Sequence, residues 1–200
     1  MNFKKVYFVG GIRGAGKDYA VSRIEDIVKL NFFNDILKPE LDESWKKTEL
    51  NIGGRIKQLA EKYRQVIILL HYAGPIESIY SDLQENITRD FSHQYKPSIS
   101  NAMAVSMLSN DTHFNLIHID SPTEEIVKRL EGDTQKKRSK GYIENIDYVR
   151  KEDKIAFEEI KSNFLNLGFN LSHFYLFNSR DADIRRELET IVTEDEADKR

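Results

Sequence analysis

The chain has no cysteine in 200 residues. That excludes disulfides, thiolate nucleophiles and cysteine-bound metals, and it suits a reducing compartment, so a cytoplasmic location is the expectation. No single sign of charge prevails either: 30 Lys and Arg stand against 33 Asp and Glu, a formal net charge of −3. Nothing in that balance draws the chain as a whole toward nucleic acid or an anionic membrane. Long apolar runs are missing. None approaches the ~20 residues of a membrane-spanning helix, and the N-terminal stretch shows no secretory apolar core. The five histidines do not cluster, and His113 and His118, on one predicted strand, are read as structural. No internal repeat is visible. What remains is the composition of one soluble α/β-sized domain, long enough to bury roughly 70% of its unfolded surface.

Against that plain background one stretch stands out, Lys4 to Leu30. Val6-Tyr7-Phe8-Val9 is a short run of β-formers, the pattern of a buried parallel strand. Gly10-Gly11-Ile12-Arg13-Gly14-Ala15-Gly16-Lys17-Asp18 follows. A helix is then predicted, with Ala20, Ile24, Ile27, Val28 and Leu30 on one face. Strand, glycine-rich turn and helix is the setting in which G-x-x-x-x-G-K means a phosphate cradle. Glycine at 11, 14 and 16 lets the backbone curl with its N–H groups turned inward, and the positive end of the following helix attracts an anion. Lys17 reaches the outer phosphates as a flexible point charge. The predicted nucleotide-binding set is therefore Gly11, Ile12, Arg13, Gly14, Ala15, Gly16, Lys17, Asp18 and Tyr19. The position after the lysine is ordinarily Ser or Thr, whose hydroxyl meets Mg²⁺. Asp18 stands there instead, and a carboxylate is also a hard oxygen ligand for that metal.

Downstream, strands alternate with helices. A second strand is predicted at Asn31 to Leu37, a helix from Lys46 to Lys62 with a break at Gly53-Gly54, and a fully apolar strand at Val66 to Leu70. Helices over Glu77 to Phe91 and Pro97 to Asn110 precede a fourth strand, Phe114 to Asp120. Ser121 is the predicted N-cap, and Pro122 the first residue, of a helix running to about Glu131. One long helix is predicted from Ile143 to Leu167, with Ile146, Val149, Ala156, Phe157, Ile160 and Phe164 on one stripe and Gly168 ending it. The last strand is Phe174 to Phe177, the last helix Asp181 to Val192, and a tail follows from Thr193. The pattern predicts one α/β domain over residues 1–192, with a five-stranded parallel sheet covered by helices on both faces.

Several side chains are candidates for chemistry. Asp120 ends a parallel strand at the edge where open α/β sheets bind ligands, as a metal or water anchor or as a helix-capping acid. His71 ends the third strand at the same edge, either touching an acceptor or packing. Between Lys128 and Lys140 six Lys or Arg face only Glu131 and Asp133, the composition of a solvated loop or of a lid that closes on phosphate. Arg129, Lys136 and Arg138 are its candidate catalytic cations beside Lys17. Arg150 and Lys154, four apart on a helix, make either an ion-pair ladder or part of the site.

With these elements placed, the chain resembles the P-loop nucleoside and nucleotide kinases, and among them the archaeal type of adenylate kinase. GIRGAGKD matches the loop, and Phe33-Asn34-Asp35-Ile36-Leu37 falls where that family has an aromatic-Gly-Asp segment near the acceptor. Val66 to His71 is similar to its third strand, and Tyr95-Lys96-Pro97 with Ile119 to Ile126 to the stretch around its fourth. Arg129 and Asp133 to Arg138 look like its lid, Arg150 and Lys154 like its phosphate-facing helix residues, and Asn178 like the turn that packs against adenine. The resemblance implies a P-loop NTPase fold with an acceptor region near 31–64 and a basic lid near 129–141. It also implies ATP and Mg²⁺ as cofactors, a nucleoside monophosphate as acceptor, and homo-oligomers as a possible assembly. Two positions depart from it. Leu69 stands where the family's third strand carries an acid, and no arginine-rich acceptor segment lies between Lys38 and Leu50. Gly-Lys-Asp is itself found in some nucleotide and phosphomevalonate kinases.

Overall fold

The computed structural model describes residues 4–37, 39, 52–72, 112–133, 140–180 and 182–197. Five strands form one sheet: β1 Lys4–Gly10, β2 Val28–Asn31, β3 Gln65–Leu70, β4 Thr112–Asp120 and β5 Leu171–Phe177. All neighbours are parallel, in the order β2-β3-β1-β4-β5. The glycine-bearing strand β1 is therefore central, which is why Val6 to Val9 are fully buried. Alternation along β1 serves two layers. The hydroxyl of Tyr7 lies 3.4 Å from the carbonyl of Val192 on the last helix, α6 (Ile184–Ala197). Phe8 turns to the other face and stacks at 6.2 Å on Phe114, which meets Phe164 edge-on at 5.6 Å. Phe164 belongs to α5 (Ile146–Asn166), whose predicted stripe of Ile146, Val149, Ala156, Phe157, Ile160 and Phe164 is buried throughout. This is an α/β architecture, a five-stranded parallel sheet flanked by helices, of the kind the resemblance to the P-loop kinases implies.

Among the described residues the remaining α-helices are α1 (Lys17–Ala20), α2 (Ile52–Tyr63), α3 (Thr123–Glu131) and α4 (Lys140–Glu144). Several depart from the sequence reading. The first helix stops after one turn: α1 tightens into a 3-10 turn over Val21–Arg23, and Ile24 is already extended. Val28 and Leu30 share no helix face. They alternate with Lys29 and Asn31 as β2, pairing with Val66 and Ile68, so a two-residue period prevails over the apparent helical one. The predicted second strand is in turn a π-helical segment, Phe32–Leu37. Its cause is local, because the Asp35 carboxylate accepts from the Asn31 N–H at 2.6 Å and the Asn31 side chain from the Asn34 N–H at 3.0 Å. Such side-chain bonds offer the backbone an alternative to a strand ladder. Gly53-Gly54 does not split a helix among the described residues but sits in the first turn of α2.

The predicted long helix is two, parted at Asn145, with Ile143 in α4. Pro122, not Ser121, is the cap position of α3, and Ser121 has other partners. Helix α6 runs to Ala197, beyond Thr193. Gly168 ends the α5 region with a φ of 76°, as its place in the sequence predicts. The helices predicted at 77–91 and 97–110, the start of the helix at Lys46, and Lys136 and Arg138 of the basic loop lie outside the described residues. Among the described residues no helix is long and apolar enough to cross a membrane.

Candidate active site

Because every strand runs the same way, the ends of β1, β3 and β4 share one sheet edge, with Gly10 in register with Leu70 on one side and His118 on the other. Gly10 gives way to the loop there because a side chain would have no room: a Cβ would fall 2.1 Å from the ring of Tyr72. Tyr72 is buried beneath the loop's root, its hydroxyl 2.9 Å from the Phe8 carbonyl and 3.0 Å from that of Ile117. Burial, then the Asp153 charge, push this phenol well above its ordinary pKa, so it remains a donor.

The loop itself curls as its glycines predict. Gly11, Gly14 and Gly16 hold φ of 142°, 85° and 101°. Gly16 is also the close-approach position: a Cβ on it would meet the Asn178 amide nitrogen at 2.1 Å. The Ala15 N–H donates to the Ile12 carbonyl at 3.2 Å and closes the turn, and Gly16 caps α1 by accepting from the Ala20 N–H at 2.9 Å. The N–H of Gly16 meets no backbone acceptor among the described residues, an arrangement a bound anion satisfies. Lys17, the first residue of α1, folds its ammonium back over the loop, donating to the carbonyl of Gly11 and, at 3.0 Å, to that of Ile12. Glycine curl, a backbone donor facing no backbone acceptor among the described residues and a lysine over the ring fit a chain of phosphates.

Around the loop the sequence candidates fall into three groups. Arg129, Asn178 and Ser121 underpin it. The Arg129 guanidinium donates at 2.9 Å to both the Gly14 carbonyl and the Ser121 hydroxyl, and at 2.6 Å to Glu125. Asn178 donates from its amide to the Ala15 carbonyl at 2.8 Å. The second group borders the loop. His71 follows β3, and burial, with the charges of Lys17 and Arg13, depresses its pKa to about 3, Asp153 opposing, so it is neutral. Asp18 is exposed beside Lys17, and exposed Tyr19 carries the Arg185 guanidinium 4.4 Å over its ring.

Asp120 belongs to the third group, engaged elsewhere. Its carboxylate takes Arg150 in a fork, Nε to Oδ1 at 2.9 Å and Nη2 to Oδ2 at 2.7 Å, and also the Ser121 N–H at 2.9 Å. That fork raises the Arg150 pKa. In this structure the Asp120 carboxylate is engaged in an ion pair, and Arg150 points to it. Among the described residues no three His, Cys, Asp or Glu side chains gather as a metal cage. Mg²⁺ needs none, since it commonly takes one or two carboxylates plus substrate phosphates.

Three participants are not evident from sequence. Ser121 has the position of a helix cap, yet its hydroxyl serves the loop. Tyr72 has the setting of an ordinary loop residue. Asp153 interrupts an apolar stripe, which is the one available signal: it is buried 3.3 Å from the His118 ring nitrogen, both between β4 and α5. His113 meets the Ser172 hydroxyl at 3.0 Å, and both histidines hold the structural place expected of them.

Comparison with protein-family models and with curated proteins gives no match. Among solved structures the chain is similar to a deoxyadenosine kinase from M. mycoides with dCMP and dCDP bound, at 15% identity and a TM-score of 0.43, over 96% of this chain and 99% of that one. It is also similar to an uncharacterized protein from Eubacterium ventriosum, at 12% identity and a TM-score of 0.45, over 97% of this chain and 99% of that one. Both scores fall below one half, so the functional reading rests on the geometry of the loop.

Proposed function

We propose that the chain is an ATP- and Mg²⁺-dependent phosphotransferase that moves the γ-phosphate to a small acceptor, most specifically a nucleoside monophosphate, in the manner of adenylate kinases. The observation that carries this reading is the loop between β1 and α1, with left-handed glycines at 11, 14 and 16 and the Lys17 ammonium lying over it. Phosphoryl transfer asks mainly for positioning and neutralised charge. The Gly16 N–H holds the phosphates, and Lys17 leaves the Gly11 and Ile12 carbonyls to meet the outer ones. Magnesium, when bound with the nucleotide, neutralises phosphate oxygens, with Asp18 as its protein ligand. Lys136 and Arg138 supply further cations from the basic segment, and Arg129 fixes the phosphate loop.

In the transfer, an acceptor phosphate oxygen forms a bond to the γ-phosphorus as the bond to the β-phosphate oxygen breaks, and the nucleoside diphosphate leaves. That attacking oxygen is already ionised, so no general base is required, in keeping with a His71 too weakly basic for the task. The same reading makes the protein cytoplasmic, without membrane or nucleic-acid partners, and compatible with self-association.

A second reading, a nucleotide sensor with little catalysis, is favoured by two features: Asp120 spends its carboxylate on Arg150, and Leu69 leaves β3 without an acid there. Incubating the protein with ATP, Mg²⁺ and a panel of nucleoside monophosphates and small metabolites, with products resolved by chromatography, separates the two. Transfer to one acceptor, lost in Lys17→Ala, supports the kinase. Binding of ATP without transfer or hydrolysis supports the sensor. If neither ATP nor GTP binds the folded protein, both readings fail.

A further inference from the structure

Two chain junctions far from the loop in sequence converge on its carbonyl groups. Ser121, between β4 and α3, is fully buried and directs its hydroxyl to the Ala15 carbonyl at 3.0 Å and the Asn178 carbonyl at 2.9 Å. Asn178, just past β5, brings its side-chain amide to the same Ala15 carbonyl at 2.8 Å. Arg129 donates to the Gly14 carbonyl and to the Ser121 oxygen, so the hydroxyl proton is left to face the carbonyls. The two junctions are themselves tied, the Asn178 N–H donating to the Asp120 carbonyl at 2.8 Å.

We propose that Ser121, Asn178 and Arg129 are positioning residues for the phosphate-binding loop, holding the Ala15 and Gly14 carbonyls away from its concave side so that the Gly16 N–H is aimed at the anion. The inference rests on the phosphate-binding reading and adds to it what sets the direction of the donor. A trans peptide is planar, so its C=O and N–H point opposite ways. Pinning the Ala15 carbonyl from below turns the N–H of Gly16, in the same peptide, to the other side. Pinning the Gly14 carbonyl does the same for the Ala15 N–H, which is spent on Ile12 and locks the turn. The amide of Asn178 presses so close that only glycine fits at 16. Donors fixed in advance lose little freedom on binding, which is where preorganisation gains affinity.

The test uses inorganic triphosphate, a probe that touches the loop without a base or sugar, measured by calorimetry on the full chain. Ser121→Ala and Asn178→Ala each leave one donor on the Ala15 carbonyl and weaken binding by about 3- to 10-fold, whereas the double variant loses more than the product, over ~100-fold. Gly168→Ala, at the opposite edge of the sheet, strains the fold without touching the loop and binds within about twofold of the parent. In turnover the loss falls on KM for ATP rather than on kcat. A double variant that is folded by near-ultraviolet circular dichroism and binds triphosphate like the parent overturns the proposal. A second measurement needs no variant: in the ¹⁵N-labelled parent the Gly16 amide signal moves on saturation with triphosphate, and a Gly16 signal that stays in place also overturns it. A parent that binds no triphosphate, ATP or GTP removes the phosphate reading, and the clamp falls with it. A parent that binds while the double variant binds equally removes the clamp alone.

Discussion

Arg150 grips Asp120 through two hydrogen bonds, 2.9 Å and 2.7 Å long, joining α5 to the end of β4. Both groups are partly shielded from water, the condition in which removing one partner costs more than the pair itself contributes. Asp120→Asn keeps the shape and loses the charge, and a fall of about 1–2 kcal/mol in urea-unfolding stability is expected. Replacing both, as Asp120→Asn with Arg150→Met, should recover part of that loss. The Mg²⁺ concentration that half-saturates turnover should stay within about threefold in Asp120→Asn, as Mg²⁺ is held chiefly by phosphates and a single carboxylate. A steep rise in that requirement would return Asp120 to the metal.

Lys17 separates binding from folding. Its ammonium donates to carbonyls of its own loop, Gly11 and Ile12, and the side chain is half-buried rather than part of the core, so Lys17→Ala should change stability by less than ~1 kcal/mol. Loss of a charge-assisted contact to phosphate should weaken ATP by at least about 10- to 100-fold, equal to some 1.5–3 kcal/mol. Calorimetry beside a urea titration reads both quantities on the same sample. An unfolded variant, or one that binds like the parent, contradicts the assignment.

How much of this is legible in the sequence follows the range of the forces involved. The loop can be read because each of its residues answers a local demand: left-handed φ at Gly11, Gly14 and Gly16, a cation at the helix start. The α5 stripe and the apolar core of β3 can be read because burial imposes a period on neighbours in sequence. Residues 24–31 mislead because Ile24, Ile27 and Val28 satisfy a helical spacing while Val28 and Leu30 satisfy a strand's, and only pairing with Val66 and Ile68 decides between them. The supports of the loop are out of reach for a different reason. Ser121 and Asn178 meet Ala15 across 106 and 163 positions of chain, and a serine before a proline looks like a cap whichever way its hydroxyl turns.

His71 gives the fold a defined acid sensitivity. Its pKa is about 3 in the folded chain, against the ordinary 6.5, through burial and then the positive charges of Lys17 and Arg13. The folded state thus resists protonation that the unfolded chain accepts. The stability it contributes is complete above pH 6.5 and declines as pH falls from there toward 3, at up to about 1.4 kcal/mol per pH unit. His71→Asn, which cannot titrate, should flatten the difference in urea midpoint between pH 7 and pH 4.5 relative to the parent. Carboxylates contribute equally to both proteins, so the difference isolates the histidine; identical pH profiles would mean His71 titrates normally.

Gly16 and Gly168 share a left-handed backbone and differ in surroundings, so the same substitution at each separates strain from collision. Gly168 has a φ of 76° and nothing within 4 Å of the place a Cβ would take, whereas Gly16 has a φ of 101° and the Asn178 amide at 2.1 Å. Gly168→Ala should therefore cost only the conformational penalty, about 1–2 kcal/mol. Gly16→Ala adds the displacement of a buried amide that holds the Ala15 carbonyl, and should cost about 3 kcal/mol or more while abolishing measurable triphosphate binding. Chemical denaturation ranks the two, and calorimetry shows which retains the ligand. If both alanines unfold at the same urea concentration and both bind triphosphate, the contact between Asn178 and the loop is not the constraint that keeps glycine at position 16.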